Sequence, residues 1–334
     1  MNRNQTLAIC EVFQLGKVLN EAIPVSGGLI HRMWKVDTSH GSFAIKELDA
    51  EIMKRPGIQE SYIKSEEIAA ALKSKNIPAE TALINHGTPL YEIDGSIVMV
   101  FPWVEGKTLT ISQVTTEHAK QIGKVVAAIH AANITKLSLP IPEIHFVSAE
   151  RWHSLVDEAL SNKVVWAAEA ERNLPNWIAW TNIYKKAKQR LNQNLIISHR
   201  DMDPKNVIWR DPISPVLIDW EGAGLINPTE EVINVALEWA GMTEILFRKN
   251  IFSAVIEGYC NSGGWLVESE IHDALYGLIG GVLNWLEFNM FRSLDSSKYN
   301  IDIQRLGVEE TEMTFKKLHF LHENIDYFIE LLRR

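Results

Sequence analysis

The sequence predicts an α+β fold with two lobes, a small N-terminal sheet lobe with one main helix and a larger, mainly helical C-terminal lobe. Short apolar segments separated by turn residues fill the N-terminal third, as in a predicted hairpin over residues 91–97 with Asp94-Gly95 at its turn. Later segments, such as residues 116–132, have apolar residues at helical spacing. The chain has 334 residues, 46% of them hydrophobic, which is enough for two lobes around a cleft. We place the lobes at residues 1–101 and 102–334.

The first lobe is predicted to begin with a strand, a glycine-containing turn and a second strand. Ser26-Gly27-Gly28 lies between the apolar segments 23–25 and 33–36. Glycine lets backbone N–H groups approach phosphate oxygens because no Cβ stands in the way. The turn therefore indicates a phosphate-binding loop.

The same lobe supplies a lysine and a glutamate. Lys46 ends the alternating segment 43–46, and Glu66 lies in residues 61–74, whose apolar positions recur at helical spacing. A carboxylate on that helix can pair with the lysine and orient it. Glu67 is adjacent to Glu66, so one of the two is expected to face the lobe and the other solvent.

The second lobe contains a pattern of polar residues that follows short apolar runs. His199-Arg200-Asp201 is followed by Asn206 and then by Asp219. Transfer of a γ-phosphoryl group requires a carboxylate that orients the attacking hydroxyl and ligands that hold Mg²⁺ against the phosphates. The pattern predicts an ATP-dependent kinase with Asp201 as the catalytic residue and Asn206 and Asp219 as metal ligands. His199 is interpreted as structural, packed and hydrogen-bonded beneath the catalytic loop.

These motifs together resemble the aminoglycoside phosphotransferase and choline kinase-like superfamily, small-molecule kinases related in fold to protein kinases. The resemblance rests on Pro24 to Leu29 with Met33 to Val36, Lys46, Glu66 before Asn76-Ile77-Pro78, Met99 to Gly106, His199 to Asn206 with Trp209, and Leu217 to Gly224. In such families the glycine loop is similar to Gly-Gly-Leu-Thr-Asn-Arg, whereas Ile30-His31-Arg32 replaces its last part here. The metal-binding Asp is followed by Trp-Glu, which argues against a protein substrate.

The resemblance implies a protein-kinase-like fold, ATP and Mg²⁺ as cofactors, and a role for each motif. Ser26, Gly27, Gly28 and Leu29 would cover the triphosphate, Lys46 would contact the phosphates, and Glu66, favoured over Glu67 by its spacing to Pro78, would orient Lys46. Backbone N–H groups between Met99 and Val104 would bind adenine; because Pro102 has no N–H, the candidates are Val100, Phe101 and Val104.

Charge and cysteine content limit the possible partners. Residues 219–287 contain eleven acidic and two basic residues, a net charge of −9 that equals that of the whole chain. This segment is either an ordinary solvated helical surface or an acidic wall that attracts a cationic substrate. The acidity makes nucleic acid an unsuitable partner. Cys10 and Cys260 are interpreted as thiols in a reducing compartment, which predicts a cytoplasmic location.

Apolar and aromatic residues of the second lobe are assigned mainly to its core. The most apolar stretch, residues 274–288, is interrupted by glycines and is shorter than the ~20 residues of a membrane span, so we interpret it as a core helix without membrane contact. Four tryptophans, at positions 152, 166, 177 and 180, are also interpreted as core. The candidates for an acceptor-binding wall are Trp285, Glu287, Asn289 and Arg292 on one helix.

The sequence therefore predicts transfer of the ATP γ-phosphoryl group to a hydroxyl of a small, amine-bearing molecule of the aminoglycoside type. A metabolic kinase for choline, ethanolamine, homoserine or a sugar amine is the alternative. A catalytically silent nucleotide-binding protein is a third hypothesis, opposed by the intact set of Lys46, Asp201, Asn206 and Asp219. The oligomeric state is left open.

Overall fold

The computed structural model describes residues 1–25, 31–134 and 137–333, and the chain divides into two compact units. One unit comprises Met1–Ser138 with Ile197–Gly224, and the other comprises Leu139–Ile196 with Leu225–Arg334. The segment that carries the predicted catalytic residues therefore belongs to the same unit as the N-terminal sheet. The predicted lobes, residues 1–101 and 102–334, were divided where the strands of the sheet end and the helices begin, and this division stays a prediction.

The first unit contains a five-stranded antiparallel sheet in the order β1-β2-β3-β5-β4. Its strands are β1 (Ile23–Val25), β2 (Arg32–Thr38), β3 (Gly41–Glu47), β4 (Tyr91–Ile93) and β5 (Ser96–Pro102). The predicted hairpin is confirmed, since Ile93 pairs with Ser96 across the two-residue turn. Asp94 and Gly95 both have positive φ, 48° and 77°, as the tight turn between twisted strands requires.

The α-helices in the described part of this unit are α1 (Arg3–Val12), α2 (Ala50–Met53), α3 (Ile58–Lys73) and α4 (Thr116–Ala131). Helix α1 contributes Ile9 and Cys10 to a core that includes Ile45 of β3 and Val100 of β5. The helix predicted over residues 116–132 is confirmed as α4. Its N-terminus is capped by the Thr115 side chain, which accepts a hydrogen bond from a backbone N–H of the first turn.

Short strands carry the segment after residue 195. They are β6 (Ile196–Ser198), β7 (Val207–Trp209), β8 (Pro215–Leu217) and β9 (Gly224–Ile226). Strands β7 and β8 form an antiparallel pair in which Val207 is opposite Leu217. The polar residues of the predicted site therefore lie just outside short paired strands, as the apolar runs indicated.

The second unit is helical. Its helices are α5 (Ala149–Ser161), α6 (Ala167–Leu191), α7 (Pro228–Trp239), α8 (Lys249–Asn261), α9 (Ile271–Leu294), α10 (Ile301–Glu323) and α11 (Ile325–Leu332). Trp177 contacts Trp152 and Phe315 with ring centroids 5.2 and 5.3 Å apart. All four tryptophans that the sequence assigned to the core are buried. No helix within the described residues is long and apolar enough to cross a membrane.

Candidate active site

His199 forms hydrogen bonds to both the catalytic loop, at Asp201, and the residue that precedes Asp219, Ile218. Its ring is completely buried against Trp220, with the ring centroids 4.4 Å apart. Nδ1 accepts a hydrogen bond from the Asp201 backbone N–H at 3.3 Å, so the ring proton is on Nε2, which lies 3.0 Å from the Ile218 carbonyl oxygen. The packed, hydrogen-bonded position predicted for His199 is confirmed. The ring fixes the spacing between the catalytic loop and the Asp219 loop.

Asp201 and Asn206 lie side by side. The Asn206 amide Nδ2 donates to Asp201 Oδ2 and to the Asp201 carbonyl oxygen, both at 2.8 Å. Because both bonds use the amide nitrogen, the amide oxygen Oδ1 is directed elsewhere and can ligate a cation. Asp203, just before Pro204, forms an ion pair with Lys205 at 2.7 Å at the start of a 3-10 turn. Its position fits a turn residue.

Asp219 has a left-handed backbone conformation, with φ 61° and ψ 62°. Asp adopts this region more readily than most non-glycine residues, and such conformations concentrate at functional sites. Arg200 in the catalytic loop also has a positive φ, 68°. Both segments that bring carboxylates into the candidate site therefore bend sharply after a short strand.

Lys46 is buried and forms two ion pairs. Its Nζ lies 2.7 Å from Asp219 Oδ1 and 2.7 Å from Glu221 Oε2. Burial by itself would lower the pKa of Lys46, but the negative charges of Asp219 and Glu221 outweigh it and raise the pKa. The structure therefore holds a charged ammonium between two carboxylates.

Glu66 does not pair with Lys46 as the sequence predicted. Its Oε2 instead accepts a hydrogen bond from the Ala82 backbone N–H at 2.7 Å, and in the described part of the chain the ion-pair partners of Lys46 are Asp219 and Glu221. Burial raises the pKa of Glu66 to about 7, against the effects of the Ala82 hydrogen bond and the Lys46 charge. The Glu66 side chain is thus hydrogen-bonded to the backbone, and Lys46 is paired with other carboxylates.

Glu221 is the site residue to which sequence reasoning gave no role. In the described part of the chain, three nitrogen or hydroxyl groups lie close to its Oε2: Lys46 Nζ at 2.7 Å, Tyr62 Oη at 3.3 Å and His31 Nε2 at 3.4 Å. Burial opposes its ionisation, but the nearby His31 ring and the Lys46 charge lower the pKa of Glu221 to about 2. The signal in the sequence was the position of Glu221 two residues after Asp219, within the Asp-Trp-Glu motif that resembles small-molecule kinases.

The structure does not describe the predicted phosphate-binding loop. Ser26, Gly27, Gly28 and Leu29 lie outside the described residues, so the phosphate loop stays a prediction.

The geometry of the sheet bears on the three residues predicted to bind adenine in the segment that links the two predicted lobes, which we call the hinge. Trp103 N–H donates to the Ser42 carbonyl oxygen at 3.0 Å, and hydrogen-bonded pairs alternate along an antiparallel ladder. Phe101, two residues earlier on β5, therefore directs its N–H into the ladder with β3. Val100 is completely buried. Val104 lies beyond the end of β5 and is itself buried, so burial does not separate it from Val100. The adenine contact stays a prediction, and Val104 is the candidate that lies outside the ladder with β3.

The interpretation of residues 219–287 as an acidic wall is not supported. Seven of the eleven acids have basic partners within the described residues, and every one of those partners lies outside the segment that was counted. Asp219 and Glu221 pair with Lys46 in the first unit; in the second unit the pairs are Glu230 with Lys188, Glu238 with Lys317, Glu268 with Arg333, Asp273 with Arg190 and Glu287 with Arg151. A local charge count omits these bases, and the structure favours the alternative of an ordinary helical surface.

The four candidates for an acceptor wall do not share one accessible face of α9. Asn289 is completely buried, and its amide donates to the Trp285 carbonyl oxygen at 2.8 Å. Glu287 forms an ion pair with Arg151 at 2.6 Å. Trp285 is exposed and stacks on Phe288, and the Arg292 guanidinium lies over both rings. Asn289 is therefore excluded from direct contact with a ligand.

The donor chemistry fits a hard divalent cation. Within the described residues no group of three or more His, Cys, Asp or Glu side chains could hold a metal by itself. The Asn206 amide oxygen and the Asp219 carboxylate are both oxygen ligands, and Mg²⁺ is typically bound by one or two protein oxygens together with substrate phosphates and water. This pair of residues suits a cation that arrives with a nucleotide.

The antiparallel sheet that carries Lys46, together with the Asp201, Asn206 and Asp219 segment, defines a protein-kinase-like phosphotransferase. The chain belongs to the phosphotransferase enzyme family, whose model matches residues 21–268. It is thus a kinase of small molecules that acts on hydroxyl groups.

Solved structures with this fold include kinases for different acceptors. A spectinomycin phosphotransferase in complex with ADP and spectinomycin superposes with a TM-score of 0.70 at 16% identity, covering 99% of both chains. A choline kinase from Cryptosporidium parvum gives 0.62 at 12% identity over 99% of both chains. An ethanolamine kinase from Plasmodium vivax gives 0.60 at 16% identity, covering 94% of this chain and 89% of that one. A search of curated proteins found no match.

Proposed function

We propose that this phosphotransferase uses MgATP and transfers the γ-phosphoryl group to a hydroxyl of a small, amine-bearing molecule. The observation that carries the proposal is the convergence of Lys46, Asp201, Asn206 and Asp219 in one compact unit. Each supplies one function that phosphoryl transfer needs, namely a cation for the phosphates, a carboxylate for the hydroxyl, and oxygen ligands for the metal. A nucleotide-binding protein without activity would not need the Asp201–Asn206 pair.

Asp201 would receive the acceptor hydroxyl. Its Oδ2 is fixed by the Asn206 amide, and its backbone by His199, so the carboxylate has one orientation in the structure. Holding the hydroxyl in line with the phosphoryl group is the larger part of catalysis in this reaction, because little covalent chemistry is left to the protein. Asp201 would then accept the hydroxyl proton as the new O–P bond forms and the bond between the γ-phosphorus and the β–γ bridging oxygen breaks, with ADP as the leaving group.

Asn206 and Asp219 would hold Mg²⁺, which supplies charge neutralisation at the phosphates when bound. Lys46 would contact the phosphates from β3. Val104 would bind adenine through its N–H, and Ser26 to Leu29 would cover the triphosphate.

The acceptor class is supported by the acceptors for which the similar enzymes are named. Ethanolamine carries an amine and choline a quaternary ammonium, each together with a hydroxyl, and the spectinomycin phosphotransferase shares the fold over its full length. These kinases span antibiotic and metabolic acceptors. An aminoglycoside-type acceptor and a metabolic amino alcohol are therefore the two candidate substrates.

The test is a panel of alcohols assayed by coupled ADP release with MgATP. It should contain aminoglycosides, ethanolamine, choline, homoserine, an amino sugar, and neutral sugars of matched size. We expect at least one amine-bearing alcohol to stimulate ADP release and to appear as a phosphate ester by mass spectrometry. If only neutral or anionic alcohols are phosphorylated, the acceptor proposal is wrong.

Nucleotide binding is tested separately, by titrating ATP into the protein with and without Mg²⁺. Asp219→Asn should weaken MgATP binding more than Asn206→Ala does, because loss of a full carboxylate from a hard cation costs more than loss of an amide oxygen. Equal MgATP affinity in the wild type and both variants would contradict the metal assignment.

A further inference from the structure

His31 and Tyr62 form a hydrogen-bonded pair that the predicted site did not include. Both side chains are buried, and His31 Nε2 lies 2.8 Å from Tyr62 Oη. His31 replaces part of the usual loop sequence of such families and is the first described residue after the phosphate-loop positions. The pair meets Glu221, the carboxylate that holds Lys46.

The hydrogen bonds around His31 fix the direction of donation. Nδ1 accepts from the Asp49 backbone N–H at 3.0 Å, so the proton of the neutral ring is on Nε2. Asp49 is itself fixed, because its side chain caps α2 by accepting from two backbone N–H groups at 3.0 Å. Among the described residues, the acceptors within reach of Nε2–H are Tyr62 Oη, at 2.8 Å, and Glu221 Oε2, at 3.4 Å.

Tyr62 completes the chain. When its Oη accepts from His31, its own O–H donates to Glu221 Oε2 at 3.3 Å. The Asp49 N–H, the His31 Nε2–H and the Tyr62 O–H then each donate once, and the Glu221 carboxylate is the final acceptor. Glu221 Oε2, which accepts from Tyr62, is also the oxygen that accepts from the Lys46 ammonium at 2.7 Å.

Helix α3 carries both Tyr62 and Glu66, which are four residues apart and so lie on one face of the helix. Glu66 is bonded to the Ala82 backbone, whereas Tyr62 reaches the carboxylate on Lys46. We expected α3 to orient Lys46 through Glu66. In the structure, α3 contacts the Lys46 partner Glu221 through Tyr62.

We propose that His31 and Tyr62 are positioning residues for phosphoryl transfer: they hold the Glu221 carboxylate against Lys46, and Glu221 thereby takes the role that the sequence assigned to Glu66. Asp219 also pairs with Lys46 but is the proposed metal ligand. A carboxylate that ligates Mg²⁺ is a weaker partner for an ammonium, so Glu221 is the partner that Lys46 keeps during turnover. The proposal rests on the proposed function in this step.

The experiment compares variants that remove one hydrogen bond each. His31→Asn keeps an acceptor for the Asp49 N–H but is too short to reach Glu221, whereas His31→Gln places an amide N–H near the position of Nε2. Tyr62→Phe removes only the hydroxyl, and Glu221→Gln removes the charge on the shared carboxylate. Glu66→Gln is the comparison for the sequence-based assignment, and Glu67→Gln, which affects an exposed pair with Lys64, is the control.

With the best acceptor of the panel, His31→Asn, Tyr62→Phe and Glu221→Gln should each lower kcat about 5–20-fold while KM for MgATP changes less than about threefold, as loss of alignment predicts. His31→Gln should recover at least about half of the wild-type kcat. The double variants with Glu221→Gln should be within about twofold of Glu221→Gln alone, because residues in one network are not additive. Glu66→Gln should lose less kcat than Glu221→Gln.

A second readout does not depend on activity. The urea midpoint of the nucleotide-free protein, measured for His31→Asn, Glu221→Gln and their double variant, should show that the double variant loses less than the two single losses combined. If the wild type neither binds nor turns over MgATP, the proposed function fails while this cycle still decides whether His31 holds Glu221. Additive midpoints, equal kcat losses in His31→Asn and His31→Gln, or a larger loss in Glu66→Gln than in Glu221→Gln would each overturn the proposal.

Discussion

The Lys46 ammonium lies 2.7 Å from the Asp219 carboxylate, the same group that is proposed to bind Mg²⁺. Without nucleotide, the lysine and the cation therefore compete for one ligand. Glu221 adds a second negative charge, also 2.7 Å from the ammonium. Lys46 therefore offsets one of the two negative charges beside the proposed metal site, and we expect it to do so until phosphates bind the lysine.

The first prediction follows from this competition. Lys46→Met should raise the affinity for Mg²⁺ in the absence of nucleotide by about 5–10-fold, because it leaves Asp219 and Glu221 without a counter-charge. The same variant should lose ATP turnover. Calorimetric titration with Mg²⁺, or electron paramagnetic resonance with Mn²⁺, measures the change. Lys64→Met, which affects an exposed pair with Glu67, is the control and should bind Mg²⁺ like the wild type. Unchanged affinity in Lys46→Met would contradict the competition.

A second prediction concerns the fixed carboxylate. Asp201→Asn should lower turnover by more than ~100-fold while the Kd for MgATP stays within about threefold, since Asp201 is placed to meet the acceptor and not the nucleotide. The two quantities are measured by ADP release and by calorimetry. Asp211→Asn, in an exposed turn of the same unit, serves as the matched substitution and should keep most of the activity. If Asp201→Asn retains more than a tenth of wild-type turnover, Asp201 is not the catalytic residue.

The third prediction is a pH dependence of stability that arises from Glu66. Burial raises the pKa of Glu66 to about 7 from an unfolded value near 4.5, so the folded protein binds this proton more tightly than the unfolded chain does. The free energy of unfolding should therefore fall as the pH rises from about 4.5 to 7, by up to roughly 3 kcal/mol.

Glu66→Gln should remove this fall, because the Gln carbonyl oxygen can still accept from the Ala82 N–H and does not ionise. The variant should match the wild type near pH 5 and exceed it in stability at pH 8. Urea unfolding at several pH values provides the measurement, with Glu67→Gln as the exposed control. Parallel stability curves for the wild type and Glu66→Gln would show that Glu66 titrates normally.

Gly106 gives a fourth prediction, about the segment that follows the hinge. Its φ is 142°, and a Cβ there would overlap the Trp209 carbonyl oxygen of β7. Gly106→Ala should therefore destabilise the fold by about 2–4 kcal/mol, which combines backbone strain with a backbone clash. Gly41→Ala separates the two effects, because Gly41 has a similar φ of 134° and open space around it. The clash is refuted if both variants shift the urea midpoint equally.

The sequence predicted the strands, the Asp94-Gly95 hairpin and helix α4 because these depend on local patterns of apolar and turn residues. It also placed Asp201, Asn206 and Asp219 correctly at the ends of short strands. It assigned Glu66 as the partner of Lys46 and gave Glu221 no role, because no local pattern shows that Glu66 bonds to the Ala82 backbone or that Glu221 meets Lys46. The Lys46–Glu221 contact joins residues far apart in the chain.

The charge of residues 219–287 was a feature that the sequence left open. A count over residues 219–287 assumes that neighbours in sequence compensate one another. In the structure, compensating bases come from α5, α6 and α10, namely Arg151, Lys188 and Lys317 among others. Pairing over such sequence distances has no periodic signal, so composition alone could not decide between the two interpretations.

The last prediction follows from that compensation and concerns the acceptor. A cleft lined by uncompensated charge of one sign raises encounter rates by 10- to 10³-fold, roughly, and the gain disappears as salt screens it. Because seven of the eleven acids already have basic partners, an amine-bearing acceptor should be selected by short-range contacts and not by long-range steering. Between about 0.01 and 0.15 M salt, where the Debye length contracts from ~30 to ~8 Å, kcat/KM for the acceptor should fall less than about threefold. The measurement is ADP release at saturating MgATP, with ethanolamine compared against ethylene glycol so that salt effects on nucleotide binding cancel. A fall of more than tenfold for the amine alone would restore the acidic wall as a steering surface.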